Sequence, residues 1–201
     1  MIIDGLNRYR IILASRSPRR QQLLRDLGLT FDVVIREYDE NYPENLSGEE
    51  IALFLAREKA KCFEKEISDN EIVITADTIV WCKNKVFGKP ADHDEARRMI
   101  MELSGNTHEV ITGITLLSSG REKTFSDTTR VTFETLTGEE IDYYIDEFKP
   151  YDKAGAYGIQ EWIGIAACSH IEGSYFNVVG LPVQKLYKEL KDFIDQKQGQ
   201  S

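Results

Sequence analysis

An α/β fold is what the sequence predicts, on three observations. Short apolar runs of strand length alternate with helical patterns, helix starts are marked by caps, and no repeat or low-complexity linker interrupts the chain. The first strand is expected at Ile11 to Leu13, the second at Phe31 to Ile35 and the third at Ile72 to Thr75. Ser17-Pro18 reads as an N-cap followed by proline at the first helical position, and Gly28 as the stop after Leu23, Leu24 and Leu27. Three further helices start with an oxygen-bearing residue followed three positions later by glutamate, the spacing of a capping box: Ser47 with Glu50, Asp92 with Glu95, Thr137 with Glu140. Thr107 to Leu117 and Thr128 to Phe133 read as an antiparallel pair across the Ser118-Ser119-Gly120 turn. A last helix starts near Leu181-Pro182 and buries Leu186, Leu190, Phe193 and Ile194, before a polar Gln-Gly-Gln-Ser tail that frays.

The 201 residues suit one domain, or two closely joined lobes, and can bury a core without covalent staples. Three cysteines, Cys62, Cys82 and Cys168, are far apart and odd in number. They give neither a zinc spacing nor a complete disulfide set, and a reducing cytoplasm fits them best. Met1 to Leu13 mixes charged and apolar residues and reads as neither a secretory segment nor a span, so a cytoplasmic chain with no membrane partner is expected. A net charge of −9 argues against a nucleic acid polymer or an anionic membrane as partner. A small anion remains open, provided that cations and backbone N–H groups cluster locally.

Four constellations could carry chemistry. Leu13 to Arg20 delivers Ser15, Ser17, Arg16, Arg19 and Arg20 from a strand into a helix start, which makes an anion site through exposed N–H groups, the helix dipole and guanidinium forks. The plainer alternative is a solvated first turn, yet arginines there oppose the dipole and ask for a compensating anion. Asp77, in Ala76-Asp77-Thr78 at the expected end of the third strand, could hold a hard cation or take a proton from water; it could equally cap a turn. Asp39-Glu40, Lys59 and Gly88-Lys89-Pro90 supply the carboxylates and lysines of a metal–phosphate site, or are solvated surface. Asp152 to Gln160 and Glu172 to Pro182 are glycine-rich turns in which an amide such as Gln160 could read a base edge, or structural turns only. The histidines, His93, His108 and His170, share no ligand spacing and read as structural.

In this order the motifs resemble the Maf family of nucleoside triphosphate pyrophosphatases, from Ile12 to about Leu190. The residues that carry the likeness are Leu-Ala-Ser-Arg-Ser-Pro-Arg-Arg (13–20), Ala-Arg-Glu-Lys-Ala (56–60), Ala-Asp-Thr (76–78), Gly-Lys-Pro (88–90), Leu-Ser-Gly-Asn-Thr-His (103–108), Ala-Gly-Ala-Tyr-Gly-Ile-Gln (154–160), and Gly-Ser-Tyr through Val-Gly-Leu-Pro (173–182). The resemblance implies a single Maf/ITPase-like α/β domain over 1–201, commonly dimeric, with a curved mixed β-sheet flanked by helices and a deep central cleft between two lobes. It implies hydrolysis of a nucleoside triphosphate to the monophosphate and pyrophosphate with a divalent metal cation, Mg²⁺ or Mn²⁺. By the same likeness Asp77 is the catalytic carboxylate and, with Glu40, a metal ligand, while Ser15, Ser17, Arg20, Lys59 and Lys89 bind the phosphates. Arg19, Thr78 and Gln160 resemble the subfamily that prefers dTTP and UTP, whereas the 7-methyl-GTP subfamily typically has tryptophan and glutamate in place of Arg19 and Gln160. The other alternative is a nucleotide-sensing regulator of cell division that does not turn its ligand over, given the family's association with septum formation. A P-loop ATPase is disfavoured, since no Gly-x-x-x-x-Gly-Lys-Ser/Thr run occurs. Two departures from the family pattern are Glu161-Trp162, where glycine usually follows Gln160, and Tyr38, where a small or β-branched residue is common.

Overall fold

The computed structural model describes Leu6 and residues 8–198. Among them seven strands form one mixed sheet in the order β2-β1-β3-β5-β6-β7, with β4 paired to β3. The strands are β1 Arg10–Leu13, β2 Asp32–Val33, β3 Glu71–Cys82, β4 Lys85–Phe87, β5 Thr107–Ser118, β6 Arg121–Phe133 and β7 Cys168–Glu172. The helices are α1 Pro18–Asp26, α2 Glu49–Lys61, α3 His93–Leu103, α4 Gly138–Phe148, α5 Trp162–Ala166, α6 Tyr175–Val179 and α7 Val183–Gln198, with a 3₁₀ turn at Ala154–Ala156. This is the expected α/β class. No helix among the described residues is long and apolar enough to cross a membrane. The end of the expected frayed tail lies outside the described residues.

The chain divides into two compact units, one of residues 1–77, 112–127 and 180–201, the other of residues 78–111 and 128–179. In the first, β1 lies parallel to β3 in the register Arg10↔Glu71 through Leu13↔Ile74, and parallel to β2 through Ile12↔Asp32 and Leu13↔Val33. Ile12, Ala14, Ala60, Phe63, Val73 and Leu117 form a buried cluster that α2 shares with β1, β3 and β5. Thr75 Oγ1 donates to Ala56 O at 2.6 Å, a further tie between α2 and β3. Helix α7 buries Leu186, Leu190, Phe193 and Ile194, as its 3.6-residue pattern requires.

In the second unit α3 and α4 pack together, with Ala96, Ile100 and Leu103 buried on one and Ile141, Tyr144 and Ile145 on the other. Arg97 Nε donates to Asp142 Oδ1 at 2.6 Å across them. Edge-to-face rings of His108, Phe133 and Tyr157 fill the space beside β5 and β6, with centroids 4.9–5.4 Å apart. The buried Asn177 amide donates to Val110 O at 2.9 Å and Thr129 Oγ1 at 3.0 Å, fixing α6 to both strands.

Several elements differ from the sequence reading. The second strand is two residues long, both exposed at the sheet edge, because only Asp32 and Val33 reach a partner. Strand β3 does not end before Asp77. After pairing with β1 up to Ile74 it continues to Cys82 and pairs with β4 from Val80↔Phe87 to Cys82↔Lys85, so Asp77 lies within the strand between the two pairings. Strand β6 starts at Arg121 rather than Thr128. Its polar half is held on both faces by charge: Lys123 pairs with Glu189 of α7, while Glu122 accepts from Arg57 of α2 and Ser126 donates to Glu49 of α2. Thr107 faces Thr132 and Thr115 faces Thr124, closer to the Ser119-Gly120 turn, which makes β5 and β6 the expected antiparallel pair. At α2 the cap is Gly48, at φ +45°, not Ser47; Glu50 still reaches back to Ser47 N at 3.1 Å, so half of the expected box forms. Asp92 caps α3 and Thr137 forms the complete box on α4.

Candidate functional site

Strand β1 delivers its chain end directly into α1. Ala14 N donates to Ile74 O at 2.9 Å, extending the pairing one residue beyond the strand. Ser15 is buried, and its Oγ accepts from Ser17 N at 3.2 Å and from Arg20 Nη1 at 3.4 Å. Ser17 is the N-cap with Pro18 behind it, and its hydroxyl accepts from Arg20 N at 3.4 Å. The first turn of α1 contains no acidic residue, so the positive end of the helix dipole stands beside Arg19 and Arg20 without a local counter-charge of its own.

Arg20 reaches inward from this turn. Its Nε donates to Gly180 O and its Nη1 to Ala76 O, each at 2.8 Å. Gly180, at φ +131°, takes a conformation that a side chain would strain, and it presents that carbonyl to the guanidinium. Burial pushes the Arg20 pKa down, and Asp77 opposes the shift. The charge therefore persists at a desolvation cost that nearby anions offset, since arginine does not discharge in proteins.

Four side chains then meet around Asp77. Lys59, from α2, donates to Ala76 O at 3.1 Å and to Asp77 Oδ1 at 3.3 Å. Its side chain is 13% exposed and that of Asp77 20%, so this ion pair is screened far less than a surface one. Burial lowers the Lys59 pKa; Asp77 raises it and Arg20 lowers it further. Tyr38 Oη lies 3.3 Å from Asp77 Oδ1 and 3.2 Å from Glu40 Oε1, and its ring carries Lys59 Nζ 4.7 Å from the centroid. Burial first, then Asp77 and Glu40, push the Tyr38 pKa up, so the phenol stays protonated. Two carboxylates, a phenol and two cations thus converge beside the Ser15–Arg20 loop, an arrangement able to bind polyphosphate and a hard cation together.

Among the expected site residues the first unit brings together Ser15, Ser17, Arg20, Glu40, Lys59 and Asp77. Arg19 is half-buried in the first turn of α1. Thr78, Lys89 and Gln160 belong to the second unit. Thr78 follows Asp77 in β3 and is, like it, half-buried. Lys89 is exposed between β4 and α3, in a loop joined to the 3₁₀ turn by Gly155 N donating to Gly88 O at 2.9 Å. Gln160 is exposed in the turn before α5. Glu161 is turned into the protein: it accepts from Tyr144 Oη and pairs with the buried Lys153 Nζ at 3.1 Å, while Tyr144 Oη in turn accepts from Gly158 N at 3.0 Å. Trp162 packs edge-to-face on Tyr143.

Sequence reasoning missed two things here. Tyr38 was visible only as a departure, although residues two apart on extended chain share a side and Tyr38 stands two before Glu40. The Tyr144–Lys153–Glu161 network left no local signal.

A family model described as Maf-like protein matches residues 10–193. The chain belongs to this family. The Maf-like chain is 53% identical over 191 residues to a dTTP/UTP pyrophosphatase of Phocaeicola vulgatus, a match covering 94% of this chain and 99% of the relative. It is 50% identical over 193 residues to one of Parabacteroides distasonis, covering 96% and 100%. It is 49% identical over 194 residues to one of Flavobacterium johnsoniae, covering 96% and 100%. Among solved structures the Staphylococcus aureus Ham1 protein aligns with 62% of the Maf-like chain and 71% of its own, at a TM-score of 0.40 and 14% identity.

Proposed function

We propose that this protein hydrolyses dTTP and UTP to the nucleoside monophosphate and pyrophosphate. The observation that carries the reading is the convergence of Asp77, Glu40, Lys59 and Arg20 beside the Ser15–Ser17 loop. Near-full-length relatives named dTTP/UTP pyrophosphatase support the substrate pair.

In this reading the N–H groups of the α1 start, Ser15, Ser17, Arg20, Lys59 and Lys89 hold the polyphosphate, and the cations stabilise the charge that develops on the departing pyrophosphate. Asp77 Oδ1 takes the hydrogen bonds from Lys59 and Tyr38. Oδ2 is then the oxygen that accepts the proton of the water attacking the α phosphorus. Arg19, Thr78 and Gln160 select the base, because a site that pairs with one base edge rejects another whose groups leave it unpaired.

The donor set fits a divalent metal. No group of three or more His, Cys, Asp and Glu side chains suited to a metal occurs among the described residues, so an all-protein cage of that kind is not the fit. Two neighbouring carboxylates suit Mg²⁺ or Mn²⁺, which takes one or two carboxylates and completes its shell with water and substrate phosphate. Glu40 and Asp77 would hold it, and when bound it would neutralise phosphate charge.

The test is pyrophosphate release from UTP and dTTP with Mg²⁺ present, by the wild type and Asp77→Asn. We expect turnover in the wild type and a loss of about a hundredfold or more in the variant, with the thermal midpoint preserved. Near-normal turnover in the variant would remove Asp77 from the mechanism.

A further inference from the structure

We propose that Tyr38 is a positioning residue that ties Glu40 to Asp77 and so presents the two carboxylates as a pair to one divalent cation. The inference rests on the metal-assisted reading above and adds a residue to it. Glu40 is exposed, in a segment without regular structure, whereas Asp77 is fixed in β3. Among the described residues no backbone–backbone hydrogen bond of Glu40 holds the first at a set distance from the second. Tyr38 Oη does so, standing 3.2 Å from one carboxylate and 3.3 Å from the other.

The proton count sharpens the argument. A phenol has one proton to donate, and an ionised carboxylate only accepts. Both carboxylates lie within reach of that one proton, and Lys59 Nζ also donates to Asp77 Oδ1 at 3.3 Å. The two carboxylates share the phenol proton, so a single proton draws two negative charges toward one oxygen, and Lys59, over the ring and beside Asp77, offsets their mutual repulsion in part. Positive charge added between the two carboxylates relieves the rest. The arrangement is therefore held open toward a cation before any nucleotide arrives. Hydrogen-bonding partners of metal-ligating carboxylates typically change metal affinity or activity by ten- to a hundredfold when removed.

The experiment measures Mn²⁺ binding to the intact chain without nucleotide, by electron paramagnetic resonance, in the wild type, Tyr38→Phe and Tyr38→Leu. A second measurement is the Mg²⁺ concentration that gives half-maximal pyrophosphate release from UTP. Phenylalanine removes the hydroxyl and keeps the ring beside Lys59; leucine removes both. We expect Tyr38→Phe to bind Mn²⁺ about tenfold or more weakly and to need correspondingly more Mg²⁺, with turnover largely recovered at saturating Mg²⁺ and an unchanged thermal midpoint. Tyr38→Leu should show the same affinity loss and a lower plateau. Wild-type Mn²⁺ affinity in Tyr38→Phe overturns the proposal, as does a wild type that binds no Mn²⁺. If binding weakens as expected while the wild type releases no pyrophosphate from UTP, the hydrolytic reading fails and the role of Tyr38 stands.

Discussion

At the scale of single residues, burial has opposite outcomes for the cations beside Asp77 and for His108. Around Asp77, burial lowers the Lys59 and Arg20 pKa values, yet the carboxylate beside them favours the charged forms, so the cations are kept. A bound polyphosphate would add anionic partners and favour them further. His108 has no such partner. It is 1% exposed, its Nε2 lies 2.8 Å from Tyr157 Oη, and Nδ1 has no hydrogen-bond partner among the described residues. Burial pushes its pKa down from 6.5 to about 4. The folded state therefore keeps the ring neutral where the unfolded chain protonates it. Above pH 6.5 the group contributes no pH dependence. As pH falls from 6.5 to about 4 the unfolded state binds the extra proton and stability drops, levelling below 4. The shift corresponds to a loss of about 3 kcal/mol, of which about 2–3 kcal/mol is reached by about pH 4.5. Urea midpoints at about pH 7.5 and 4.5 should show this excess loss in the wild type relative to His108→Gln. Equal slopes in the two proteins would show that the native ring is protonated in that range.

At the scale of elements, the position of Lys59 depends on how closely α2 sits on the sheet. Gly113 in β5 permits the approach: a Cβ there would lie 2.1 Å from Ala52 O and 2.3 Å from Ala52 C, both backbone atoms that no rotamer change can move. Gly113→Ala should therefore cost at least about 2 kcal/mol and shift α2, lowering turnover in the protein that still folds. Urea unfolding and a UTP assay check both parts, and a change below about 0.5 kcal/mol would mean that α2 is not seated on β5 in this way. The same scale explains what the sequence could and could not reveal. The path from β1 through Ser17-Pro18 to Gly28 was legible because cap, proline and stop are neighbours in the chain. Asp77 stood out as chemically apt, but its place was misread. The apolar run breaks there while the strand continues on a new partner, and strand ends are set by pairing rather than by composition. The first half of β6 was invisible because ion pairs and a hydroxyl–carboxylate contact, not alternating apolar residues, hold it between α2 and α7. Glu161 stood out only as a departure from the family pattern next to Gln160, since its partners Tyr144 and Lys153 lie 17 and 8 residues away in sequence.

At the scale of the whole molecule, a chain of net charge −9 is expected to bind an anion of several charges, which requires the local cations to outweigh the general repulsion. Binding and turnover can be separated by using Asp77→Asn, in which substrate is consumed about a hundredfold or more slowly while Arg20, Lys59, Glu40 and the α1 start are unchanged. A ligand present at a hundredfold excess over its dissociation constant stabilises the folded state by about 2.7 kcal/mol. For a chain of this size each kcal/mol raises the thermal midpoint by about 2–4 °C, so UTP or dTTP with Mg²⁺ should raise it by roughly 5–10 °C. GTP at the same concentration should raise it much less, because a base edge that leaves the site's polar groups unpaired loses binding. The protein without nucleotide is the baseline in the same buffer, which separates the effect of Mg²⁺ alone. An equal rise with GTP and UTP would dismiss Arg19, Thr78 and Gln160 as selectors of the base. No rise with any triphosphate would mean that the cations beside Asp77 serve the fold alone.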